Sequence, residues 1–203
     1  MLLSVMRIGV DLDGTIVNLA RPFLKYHNHK HGTSFREWDL VKYENWECLR
    51  ITREEFINEI DAFYASSYFN EITPIPEAQK GLGILRKWGD EPHLVTARPV
   101  KAKDFELKEA TNECIKRYFP KAFYSTNFSG DFRNSNGGDG KVTICKELGL
   151  DVIIEDCAEY AQTCANAGIR AFLLEQPWNS RYKVENVERC ADWNDIIRKI
   201  SEI

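Results

Sequence analysis

Asp11 and Asp13 stand two residues apart in Ile8-Gly9-Val10-Asp11-Leu12-Asp13-Gly14-Thr15, where a short apolar run ends. Along a strand, alternate residues share a face, so both carboxylates project to the same side. Two like charges this close are costly unless a cation or a phosphate transfer uses them. The end of a parallel strand is also where open α/β sheets bind their ligands. Hydrolysis of a phosphate monoester needs a nucleophile, an acid for the leaving oxygen and positive charge for the transferring group. Asp11 is the candidate nucleophile, passing through an aspartyl-phosphate. Asp13 is the candidate acid for the leaving alcohol and then the base for the hydrolytic water. Gly14 permits a tight turn directly after them.

Three further segments could complete this chemistry. In Val95-Thr96-Ala97-Arg98-Pro99, the Thr96 hydroxyl and the Ala97 amide are candidate donors to a phosphate oxygen. Arg98 could touch substrate or pair with a carboxylate at the surface. Lys141 follows a Gly-rich tract and is expected to open a helix, where a cation would meet phosphate beside a helix N-terminus. Lys146 lies a turn further on, facing solvent. Ile153-Ile154-Glu155-Asp156 ends another apolar run with two acids, and oxygen ligands suit Mg²⁺. Asp156 is the first choice as ligand, with the Asp11 carboxylate and the Asp13 backbone carbonyl. Glu155 would be a second ligand or a group just outside the ligand shell. Metal there would offset repulsion between Asp11 and the incoming phosphate.

The elements that must position these residues can be read from the apolar pattern. Met6–Val10, Pro92–Thr96, Ala122–Ser125, Val152–Glu155 and Ile169–Leu174 read as strands, several of them continuously apolar, as strands covered on both faces are. Glu77–Trp88, Phe105–Tyr118, Val142–Leu148 and Tyr160–Ala167 read as the intervening helices, bounded by Gly or Pro. Alternation of this kind predicts an α/β fold, a Rossmann-like parallel sheet flanked by helices. The stretch 17–73 breaks the rhythm. It is aromatic-rich and mainly helical, with Arg21–His29 and Arg53–Phe63 the best helices, and is too long for an ordinary βα loop. The expected organisation is a core of residues 1–16 and 74–203 with a small helical cap, 17–73, over the site. Asn127–Gly140 reads as a mobile loop.

The chain of 203 residues is long enough for one core and an insert. A net charge of −4 argues against stable binding to a nucleic-acid polymer. No apolar run approaches the ~20 residues that span a bilayer, and no membrane partner is expected. Cys48, Cys114, Cys145, Cys157, Cys164 and Cys190 are scattered without metal or redox spacing, which reads as a reduced, cytoplasmic protein. The cysteines, Tyr160 and Trp178 are expected to pack rather than to bind. Met1–Val5 is too short for a signal segment, and Met6 is an alternative start. His27, His29 and His31 alternate at what reads as a helix end, and they are not taken as a metal site. A homodimer is possible on these grounds and nothing in the sequence selects it.

D-x-D-G-T, a strand-terminal Thr, a Lys and an acidic pair occur in the order of the four motifs of the haloacid dehalogenase (HAD) superfamily, and the resemblance covers the whole chain. It implies a Rossmann-like core, Mg²⁺-dependent phosphoryl transfer and a helical cap between the first two motifs. V-T-A-R-P, I-I-E-D-x-x-E-Y-A, Gln176-Pro177-Trp178-Asn179 and Trp193 resemble more closely the 5′(3′)-deoxyribonucleotidase-like branch. That resemblance implies a nucleoside monophosphate substrate read by aromatic residues near the cap, none of which can be assigned by position. The long Gly-rich tract before Lys141 departs from the compact family pattern. A sugar-phosphate phosphatase or phosphotransferase on the same scaffold stays open, as does a non-catalytic Mg²⁺/phosphate-binding module. Asp13 speaks against the last, since a stable phospho-aspartate needs no acid–base partner beside it.

Overall fold

The structure, a computed structural model, describes residues 5–103, 105–133 and 137–203. The expectations about the start at Met1 and about the middle of the Gly-rich tract, 134–136, therefore lie outside the described residues. In chain order the elements are β1 (Arg7–Val10), β2 (Val17–Asn18), α1 (Ala20–His31), α2 (Asn45–Leu49), α3 (Arg53–Tyr64), β3 (Thr73–Pro74), α4 (Ala78–Trp88) and β4 (Glu91–Thr96). They continue with α5 (Leu107–Tyr118), β5 (Ser125–Phe128), α6 (Gly137–Glu147), β6 (Val152–Glu155), α7 (Ala158–Asn166), β7 (Arg170–Leu174), β8 (Val187–Cys190) and α8 (Trp193–Ile200).

Six strands form one parallel sheet in the order β5-β4-β1-β6-β7-β8. β1 lies in the middle, its Val10 opposite Leu94 of β4 and Ile154 of β6. Parallel neighbours require crossover helices, and these cover both faces. One face packs Ile8, Val10 and Ile154 with α4, α5 and α8; the other packs Val95, Ile153 and Leu173 with α6 and α7. The central strands are accordingly almost wholly buried, which is why their sequences are continuously apolar. The ends of β1, β4 and β6 open on the same edge, so Asp11, Thr96 and Glu155 converge.

Within the six-stranded sheet, the two strand assignments that depart from the sequence reading both concern its edges; the short β2 and β3, outside that sheet, were not expected either. The third strand is Ser125–Phe128, not Ala122–Ser125, because residues 119–124 make the turn out of α5, with Lys121 in a left-handed conformation. β8 was not expected at all. Both edge strands are polar and half-buried, so no apolar run marks them.

Both described ends of the Gly-rich tract fall in regular elements, not in the expected loop. Asn127 and Phe128 belong to β5, and Gly137–Gly140 already lie in α6. A Cβ on Gly140 would meet the Ser129 carbonyl oxygen at 1.8 Å. The glycine thus permits helix and strand-end backbones to touch, which a loop would not need.

The stretch between β2 and β3 leaves and rejoins the core through one antiparallel stem, with Val17 opposite Pro74 and Asn18 opposite Thr73. Its helices bury an aromatic cluster: Phe23, Phe56, Phe63, Tyr64 and Phe69 meet mostly edge-to-face at 5.4–5.8 Å. Thr52 and Glu55 cap α3 reciprocally. The cluster is continuous with the core of the sheet.

Candidate active site

Four carboxylates and two buried cations meet at the strand ends. Asp11 is buried, its amide held by the Ile154 carbonyl at 2.9 Å. Lys141 Nζ donates to Asp11 Oδ1 at 2.5 Å and also to Glu155 Oε1. Lys141 is itself buried and lies 5.1 Å from the centre of the Tyr160 ring. It is the fifth residue of α6, not the first, so the charge comes from the helix flank and not from beside a free N-terminus. Lys146, a turn on, is exposed as expected.

Glu155 turns its second oxygen to the amides of Asp156 (3.2 Å) and Cys157 (3.3 Å). It therefore both anchors Lys141 and fixes the turn that presents Asp156. Asp156 Oδ2 accepts from Trp178 Nε1 at 2.8 Å, and the Asp156 carbonyl accepts from Asn179 Nδ2 at 2.7 Å. Trp178, expected only to pack, orients a carboxylate. The signal was Trp-Asn after Gln-Pro, but nothing local said which acid it would meet.

Carboxylate oxygens of Asp11, Glu155 and Asp156 lie within 4.8 Å of one another. Burial pushes the Asp11 carboxyl above its ordinary range, with Lys141 pulling the other way. Burial carries Glu155 up to about 7. Asp156 is held well above the carboxylate range by burial and then by the neighbouring charges of Asp11 and Glu155. Burial works against the ammonium of Lys141, but Asp11 and Glu155 outweigh it and hold it well above the usual lysine range. Three buried carboxylates against one ammonium leave an excess of negative charge, a donor set that suits a hard divalent cation.

Asp13 is gripped separately. Arg98 Nε donates to Asp13 Oδ2 at 2.9 Å, and the other arm of the guanidinium donates to Oδ1. Arg98 is fully buried, its remaining nitrogen on Thr111 Oγ1 at 3.1 Å. It pairs with a carboxylate, as one sequence alternative held, but in the interior and not at the surface. Thr96 Oγ1 accepts from the Arg98 amide at 3.1 Å, which leaves its hydroxyl proton to donate. A Cβ on Gly14 (φ +80°) would stand 2.1 Å from Asp156 Oδ2 and 2.9 Å from Trp178. Gly14 thus does more than turn the chain; it makes room for the acid opposite. The loop is locked from behind, where the buried Trp193 Nε1 donates to the Thr15 carbonyl at 2.8 Å.

A cavity of about 350 Å³ opens on these groups. One end holds Asp11, Asp13, Thr96, Ala97, Arg98, Lys141, Glu155 and Asp156, all the residues nominated from the sequence. The other end is walled by Leu19, Phe23, Trp46, Phe56, Ile57 and Ile60 from the 17–73 stretch, whereas Tyr43 of the same stretch packs on Tyr160, 5.9 Å away, beside Lys141. Arg53 and Arg133 join that wall; Arg133 is tied to Asp131 and Asp61, whereas Arg53 has no carboxylate partner among the described residues and lies 6.0 Å from the Trp46 ring. These wall residues were not identifiable individually, since an aromatic that packs a core and one that lines a cavity look alike in sequence.

Solved structures share this architecture. The fold is similar to that of a HAD family hydrolase from Deinococcus radiodurans R1, solved with bound phosphate and sodium (TM-score 0.66, 14% identity, covering 98% of this chain and 96% of that one). It is likewise similar to a predicted phosphatase from Clostridium acetobutylicum (TM-score 0.70, 14% identity, covering 98% and 100%). The fold, a family match and a relative in sequence together define a phosphoric monoester hydrolase of the HAD superfamily. Residues 4–202 match the family described as "5' nucleotidase, deoxy (Pyrimidine), cytosolic type C protein", and the chain belongs to that family. A Bacillus subtilis (strain 168) relative named "Putative nucleotidase YqfW" is 27% identical over 195 residues, covering 96% of this chain and 93% of the relative. No described helix is long and apolar enough to cross a membrane.

Proposed function

We propose that the protein is a Mg²⁺-dependent phosphatase that hydrolyses a nucleoside monophosphate through an aspartyl-phosphate on Asp11. The observation that carries this reading is the two-ended cavity: a cluster of carboxylates, Lys141 and Arg98 at one end, and at the other a wall of aromatic side chains with Arg53, which has no carboxylate partner among the described residues. Its volume, about 350 Å³, is near the lower bound of the 300–1,000 Å³ range of small-ligand sites. That size suits a small phosphoester.

In this reading an Asp11 carboxylate oxygen attacks phosphorus, and the ester P–O bond breaks. Asp13, protonated, gives its proton to the leaving oxygen. Asp13 as carboxylate then takes a proton from water, which attacks the phospho-aspartate and releases phosphate. Both Asp13 oxygens are held by Arg98, so one of those contacts must yield when the ester oxygen arrives. Thr96, the Ala97 amide and Lys141 hold the transferring phosphoryl oxygens. Lys141 also keeps Asp11 aligned.

Asp11, Asp156 and the Asp13 backbone carbonyl would hold the Mg²⁺, with Glu155 outside the ligand shell on Lys141. Bound there, the ion would draw charge off the phosphoryl oxygens and balance the buried carboxylates. Residues 17–73 serve as a cap that excludes bulk water and meets the nucleoside.

The test is phosphate release from ribo- and deoxyribonucleoside monophosphates, sugar phosphates and p-nitrophenyl phosphate, with Mg²⁺ and after EDTA. Preference for a nucleotide, dependence on Mg²⁺ and loss in Asp11→Asn are the expected results. A sugar phosphate as best substrate would overturn the nucleotidase reading while leaving the phosphatase standing.

A further inference from the structure

His27 and His31 sit one helical turn apart on α1, and both reach Glu59 on α3. His27 Nδ1 lies 2.6 Å from Glu59 Oε1, and His31 Nε2 lies 2.8 Å from Glu59 Oε2. The two rings are side by side, their centres 4.5 Å apart. His29, between them in sequence, points elsewhere, with its ring 6.1 Å from that of Tyr68. The alternation His-x-His-x-His therefore conceals an i, i+4 pair, which is the spacing a helix uses to aim two imidazoles at one point.

We propose that His27, His31 and Glu59 form a transition-metal site, suited to Zn²⁺, that staples α1 to α3. Ligand atoms of all three residues lie within 4.8 Å of one another. Bonds of about 2.0–2.2 Å to nitrogen and carboxylate oxygen place ligand atoms roughly 3.4 Å apart around a tetrahedral ion. The two His–Glu59 contacts, 2.6 and 2.8 Å, therefore need to lengthen by less than about 1 Å. Two imidazoles and one carboxylate favour a borderline ion over Mg²⁺, which takes oxygen. Each imidazole nitrogen that now faces Glu59 would bind the ion through its lone pair, its proton moving to the other nitrogen of the same neutral ring, or to solvent where the ring starts as imidazolium.

His27 and Glu59 are buried, and burial keeps His27 toward the neutral form that binds metal. The His31 side chain is 36% exposed, which supplies an entry path and a fourth position for water. Lys30 is the remaining cation on the carboxylate, at 3.2 Å from Oε2, and its side chain is 47% exposed, free to swing out. None of the three ligands lines the cavity of the active site.

The test is zinc uptake by the purified chain, measured as bound metal after desalting. Asp11→Asn serves as the background in which to introduce His31→Ala, so that the acidic cluster is disabled throughout. The parent should retain one more zinc per chain than the His31→Ala form. Co²⁺ in its place should give the intense visible absorption of a four-coordinate ion, absent from the variant. Zinc should also raise the Tm of the parent and not of the variant. His31→Gln repeats the comparison with a side chain of similar size, should alanine unsettle α1. Lys30→Ala should bind zinc several-fold more tightly, since it removes a competing cation. Equal zinc content in parent and both His31 variants, or none in either, would overturn the proposal.

Discussion

The two ends of the cavity are built on different terms. At the strand ends, every charged side chain except Asp13 is buried, each is gripped by named partners, and the backbone turns that present them are themselves hydrogen-bonded. At the far end, the wall is aromatic and aliphatic, its members pack against one another, and Arg53, bonded to the Arg133 carbonyl, has no carboxylate partner among the described residues. A charged group must be held to within a fraction of an ångström to transfer a phosphoryl group, so its neighbours are specified too. An apolar wall discriminates by shape and area, which many side-chain combinations can provide. The first end should therefore fail abruptly on substitution, and the second by degrees.

Asp11→Asn should have the largest effect, bringing turnover to background in a phosphate-release assay, because it removes the oxygen proposed to attack phosphorus. Asp13→Asn should lower kcat by about 10²–10⁴ with KM little changed, the usual reach of general acid–base catalysis. If either variant kept normal turnover, the polar end would not be the catalytic end.

Lys141→Met should act on stability as well as rate. Removing the one ammonium between Asp11 and Glu155 leaves buried carboxylates uncompensated, a change that costs about 3–5 kcal/mol when a buried pair is broken. Denaturant unfolding would measure it, and added Mg²⁺ should recover part of the loss. An unchanged midpoint would mean that the cluster tolerates its own charge. Gly14→Ala should cost about 1–3 kcal/mol through its left-handed backbone alone, and turnover should fall with it because the new methyl displaces Asp156.

The smallest effects belong to the far end. Trp46→Ala should raise KM for the preferred nucleotide by about tenfold, or ~1.4 kcal/mol, with kcat for p-nitrophenyl phosphate unaffected. Arg53→Ala should raise the same KM about threefold, within the range of one hydrogen bond. Uniform losses across all substrates would erase the distinction between the two ends and turn the wall into a merely structural feature.

The legibility of the two ends in sequence follows from the same difference. Asp11, Asp13, Thr96, Glu155 and Asp156 were readable because each closes an apolar run, and Lys141 because it follows a Gly-rich tract between two strands; a parallel sheet brings such points to one edge. The strands that carry them were readable for the same reason, being covered on both faces. β5 and β8 were not, since edge strands with one face to solvent have polar sequences. Arg98 was visible as a charge near the site, but its partner, 85 positions away, was not.

What the amino-acid sequence by itself determined is the order of chemical groups along the chain and the alternation of strand and helix that delivers them to one place. Both are local properties, set by side-chain type and by the periods of backbone geometry. Tertiary structure alone decided that Arg98 holds Asp13, that Lys141 lies between Asp11 and Glu155, that Trp178 aims Asp156, and that His27, His31 and Glu59 share a point. Each of these joins elements far apart in the chain. Whether two such groups meet depends on how helices pack and how closely backbones approach, as at Gly140 and Ser129, and no spacing in the sequence encodes that distance.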